Sequence, residues 1–100
     1  MDQSFLSLVE ARWNELCRSA GSTRISTVAS RPSTDQLILD VTTSEARAQI
    51  KAREALRTLD ISVARFKDEK TLSEGPCGND ANMDRKLRSL LIDLTASPFA

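Results

Sequence analysis

From Phe5 to Ala20 the apolar positions recur at helical spacing, with Phe5, Leu6, Val9, Trp13, Leu16, Cys17 and Ala20 on one stripe. Asp2 offers an N-cap and Gly21 stands where a left-handed C-cap belongs, so the pattern predicts a helix over residues 2–20 with Trp13 in the core. The period then changes to two. Arg24–Ser30 and Gln36–Thr42 are rich in β-branched residues, and in the second run Leu37, Leu39 and Val41 alternate with Ile38, Asp40 and Thr42, as in a strand with one buried face. Arg31-Pro32-Ser33-Thr34-Asp35 between them reads as a hairpin loop.

Thr42-Thr43-Ser44-Glu45 contains the Ser/Thr-x-x-Glu spacing of a capping box and predicts a second helix running to Leu59. Ala48, Ala52, Ala55, Leu56 and Leu59 fall within one arc of that helix, while Ile50 points away from it. Asp60 ends the pattern, and Ile61–Phe66 alternates as a third strand with Ile61 and Val63 on one side. The expected fold class is therefore α+β: a two-layer small domain, ordered helix-strand-strand-helix-strand, over residues 1–66. Residues 67–82 collect charge and turn formers and read as a polar flexible linker. Residues 83–96 read as a C-terminal amphipathic helix with Met83, Leu87, Leu90, Leu91 and Leu94 on one face. So short a helix is marginal alone and needs a surface: this chain's own core, a second copy, or another protein.

Composition narrows the picture. One hundred residues, 40% apolar and 28% charged, suffice for one modest core and no second domain. The longest apolar runs are three residues, as at Leu37–Leu39, against the ~20 a membrane-spanning helix needs, so no membrane partner is expected. The start Met1-Asp2-Gln3-Ser4 lacks the charged and apolar regions of a secretory signal, and Cys17 and Cys77 read as free thiols, which together point to the cytoplasm.

The absence of histidine excludes Ser-His and Cys-His nucleophilic pairs and histidine-containing zinc sites. No catalytic, cofactor or metal motif is present, so neither an enzyme nor a cofactor is expected. Net charge is zero, yet residues 43–67 carry a local balance of plus three and residues 68–100 one of minus two. Within the basic half, Arg47, Lys51, Arg57, Arg65 and Lys67 are candidate phosphate contacts. In element order up to Phe66 the expected fold resembles K-homology-type domains, a resemblance that implies binding of single-stranded nucleic acid. Gly75-Pro76-Cys77-Gly78 matches the Gly-x-x-Gly spacing of such domains but follows a strand, contains proline, and has acidic neighbours, so it reads as a connector. The sequence thus favours a non-catalytic protein-binding or assembly module, homodimeric or docking on another protein through Met83, Leu87, Leu90, Leu91 and Leu94. A nucleic-acid-binding module using the basic second helix is the alternative.

Overall fold

The computed structural model describes residues 4–21, 24–65 and 67–95. The expected α+β class is observed. Helix α1 (Phe5–Ser19) is followed by five strands, β1 (Ser26–Ser33), β2 (Gln36–Thr42), β3 (Arg47–Arg53), β4 (Thr58–Arg65) and β5 (Asp68–Ser73), and by helix α2 (Asp80–Thr95). The strands form one antiparallel meander in the order β1-β2-β3-β4-β5. Both helices lie on the same side of it, and Trp13, at 0% exposure, sits in the core they close together with Leu37, Leu39, Ile50, Leu59, Ile61, Leu87 and Leu90.

The second helix expected over residues 43–59 does not form; its place is taken by β3 and the start of β4. Ala, Gln, Lys and Arg are good helix formers, so local propensity pointed to a helix. Pairing overrides it, because every residue from Arg47 to Arg53 is in register with β2 on one side and β4 on the other. Ile50, which fell outside the helical arc, lies at the centre of the strand's buried row between Ala48 and Ala52. The capping chemistry at Thr43 is real but closes a hairpin. The amides of Glu45 and Ala46 donate to Thr43 Oγ1 at 3.2 and 3.0 Å, and the Thr43 amide donates to the Ala46 carbonyl at 2.9 Å. Without that helix the K-homology element order is lost.

Residues 67–82, expected as a linker, contribute β5, whose charged residues suit the edge position it occupies. The connector that follows is also tied down. Leu59 donates its amide to Gly75, Cys77 donates its own to Arg57, both at 3.0 Å, and the Cys77 side chain is buried. The Gly75-Pro76-Cys77-Gly78 amides are thus partly committed, which removes them further from a phosphate clamp.

Helix α1 takes its N-cap from Ser4, whose hydroxyl accepts from the Ser7 amide at 3.2 Å, while Asp2 lies outside the described residues. Gly21 has φ 64°, the left-handed conformation expected at that end. Helix α2 begins three residues earlier than the apolar pattern indicated, with Asn79 Oδ1 accepting the Asn82 amide at 2.9 Å. Among the described residues no helix is long and apolar enough to cross a membrane.

Candidate functional site: the uncovered face of the sheet

The sheet has two unlike sides. Toward the helices β2 sends Leu37, Leu39 and Val41, β3 sends Ala48, Ile50 and Ala52, and β4 sends Leu59, Ile61 and Val63, all buried. The alternate positions form a face that neither helix covers. There β3 carries Arg47, Gln49, Lys51 and Arg53 in one row. Register places Thr42, Asp40, Ile38 and Gln36 of β2 on one flank of this row, and Ala64, Ser62, Asp60 and Thr58 of β4 on the other.

The charges of this face are arranged by sign. Among the described residues Arg47, Lys51 and Arg53 make no ion pair, so three cations stand along the central strand. The flanking acids are partly engaged in holding backbone and side chains: Asp40 Oδ1 accepts from Gln49 Nε2 at 3.0 Å, and Asp60 Oδ1 accepts the Gly75 amide at 2.9 Å. A shallow cavity of about 230 Å³ opens here, lined by Gln49, Lys51, Asp60, Ser62, Thr71 and Glu74. Its walls can donate and accept hydrogen bonds and meet charge of either sign, and Ile38 adds an apolar patch beside Lys51. Among the described residues no aromatic stands on these strands' uncovered positions, so the described part of the face offers no platform for stacking bases, and Phe66, expected at the end of the third strand, lies outside the described residues.

The candidate residues from the sequence are distributed unevenly over this surface. Arg47 and Lys51 are on it, and Arg53, which the helical reading did not single out, completes their row. A period of two starting at Arg47 was the available signal. Arg57 is at the end of the sheet, with its guanidinium 5.0 Å from the Phe5 ring centroid and paired with Asp80 of α2. Arg65 points to the opposite, covered side, where it donates to the Asp93 backbone carbonyl and pairs with the Asp93 carboxylate. Lys67 is exposed in the turn between β4 and β5. The five basic residues therefore do not share one surface.

The apolar residues of α2 take a different role from the one their stripe suggested. Met83, Leu87 and Leu90 are buried in this chain's own core, and Leu91 and Leu94 are half-buried against it. Only the outer edge of the helix remains available, where Ile92 is exposed beside a groove that Arg12, Leu16, Arg88 and Leu91 help to line. The helix is locked to α1 by Asp84, which accepts from Arg12 Nε and, at 2.7 Å, from Arg88 Nε. The hydrogen bond from Arg12 holds the Asp84 carboxyl below the usual aspartate range, with Arg88 adding to the effect against partial burial. Burial pushes the half-exposed Cys17 thiol up, away from the thiolate a nucleophile needs.

Comparison with protein-family models, with curated proteins and with solved structures gives no match to this chain.

Proposed function

We propose that this chain is a small non-catalytic module that binds another protein through the uncovered face of its sheet, centred on β3. The observation that supports this reading is the row Arg47, Gln49, Lys51 and Arg53, whose three cations have no ion partner among the described residues and stand between acidic and apolar neighbours. Mixed charge around a small apolar patch is the usual make-up of a protein-binding surface, in which charge arrangement selects the partner. Binding here would need no rearrangement of the fold, because the row is held on a central strand paired along its whole length.

The same row favours a second reading, in which the three cations contact phosphates of a nucleic acid. Its spacing along one strand suits a backbone, but the acids on either side and the lack of an aromatic at the described uncovered positions count against it.

A photo-crosslinking residue at Gln49 distinguishes the two in cells that make the protein. The expected outcome is a discrete protein adduct that disappears when Lys51→Glu and Arg53→Glu are introduced, with the urea-unfolding midpoint unchanged. A nuclease-sensitive adduct would establish the second reading instead. Failure of Gln49 to give any adduct above that from a control position such as Ser89 on α2 would contradict both.

A further inference from the structure

The two edges of the sheet are protected very differently. Edge strands expose unpaired backbone donors and acceptors, and proteins blunt them with charge, proline or bulges. On β5 the first three residues, Asp68, Glu69 and Lys70, are all charged, Lys70 is tied to Asp93 at 3.2 Å, and the pairing with β4 is broken by a register shift at Ile61/Ser62. On β1 the corresponding devices, Arg31, Pro32 and a register shift, are confined to the end beyond Ser30. From Ser26 to Ser30 the strand is uncharged, pairs regularly with β2 on one side, and has no strand on the other among the described residues. Val28, 62% exposed, is at its centre.

We infer that Ser26–Ser30 is a homodimer edge, at which a second copy of this chain adds its own β1 antiparallel to the first and joins the two meanders into one continuous sheet. The occupant is a second copy because the segment is complementary to itself. With the two-fold axis at Val28, Val28 faces Val28 of the other protomer, Ser26 faces Ser30, and Thr27 faces Ala29. The flanking cations do not meet in this register, since Arg31 falls opposite Ile25 and Arg24 opposite Pro32. A two-fold axis perpendicular to the sheet also leaves both pairs of helices on one side. The paired strands then have Thr27, which accepts from Trp13 Nε1 at 3.0 Å, on the covered side and Val28 on the uncovered side in both copies. A pairing of five residues is a small interface, so the dimer is of the weak, concentration-dependent kind. This inference does not rest on the proposed use of the uncovered face, which the dimer would leave open and enlarge.

Sedimentation velocity on the full chain between about 1 µM and about 1 mM covers the range in which such interfaces assemble. The expected result is a mass rising from 11.0 kDa toward twice that value. Val28→Lys, at an exposed position, should hold the mass at the monomer value while leaving the circular dichroism unchanged. A charge swap tests the register itself: Ser26→Lys with Ser30→Lys should abolish the dimer, whereas Ser26→Glu with Ser30→Lys should restore it to at least the wild-type level, because position 26 faces position 30 across the axis. Ile92→Glu on the outer edge of α2 should have no effect. A monomer at every concentration overturns the inference. So does a dimer that survives Val28→Lys, or one lost on Ile92→Glu.

Discussion

Strand β3 presents two faces that obey different rules. Toward the helices it offers only Ala48, Ile50 and Ala52, two small residues and one large one, all buried. Toward solvent it offers Arg47, Gln49, Lys51 and Arg53, long polar side chains whose cations make no ion pair among the described residues. The first face is constrained by packing, since interiors are close-packed and each lost methylene leaves a gap. The second is held, among the described residues, only by the hydrogen bond from Gln49 to Asp40. A surface charge that forms no pair adds little to stability, which leaves those positions free to serve recognition.

Substitutions that cross this division should have effects of very different size. The largest is expected on the covered side at Leu87→Asp, which places an unpaired charge at a fully buried position. Burying a charge without a partner costs more than most small domains have in reserve, so the variant should lose cooperative urea unfolding and near-ultraviolet circular dichroism. Retention of a cooperative fold would mean that α2 is dispensable. A smaller and pH-dependent effect is expected at Asp84, which joins the two helices above that core. Because its carboxyl is held below the ordinary range in the folded chain, its contribution is present above the unfolded aspartate value and is lost as pH falls through the folded one. Asp84→Asn should therefore lower the urea midpoint at neutral pH, and the gap from wild type should narrow on acidification to about pH 3. A gap that stays constant would show that the charge is not what locks the helices.

Much of the covered side was legible in the sequence. The stripe from Phe5 to Ala20 gave α1, the alternation of Leu37, Leu39 and Val41 gave β2, and Ile61 and Val63 gave the buried row of β4, because in each case apolar period and local propensity agree. They disagree in β3, where alanine, lysine and arginine favour a helix and only the position of Ile50 betrayed a strand. Arg47 and Lys51 share one face despite the wrong element, since a spacing of four keeps two residues on one face under either period. Arg57 and Arg65 do not share that face. The turn after Glu54 ends β3's alternation before Arg57, and Arg65 shares the parity of Val63 and so faces α2. That turn could not be read at all: Leu56 and Arg57 adopt φ 61° and 49°, which non-glycine residues rarely do. The amide of Ala55 on Asp35 and the carboxylate of Glu54 on the Phe5 amide, both long-range, hold it in place. The stripe of α2 was legible as a helix but not as to its destination, because the same five apolar residues would serve a core or a partner.

The division between the two faces is tested most directly by one substitution made twice, Ile50→Ala and Ile38→Ala, with stability measured by urea unfolding. The residues stand on adjacent strands, Ile50 on the covered side and Ile38, opposite Lys51, on the uncovered one. Expected are a loss of about 2–5 kcal/mol for Ile50→Ala, the cost of a core cavity, and of less than about 1 kcal/mol for Ile38→Ala. Equal and large losses would contradict the division, because Ile38 would then be packed as a core residue and the face around it could not be free to bind.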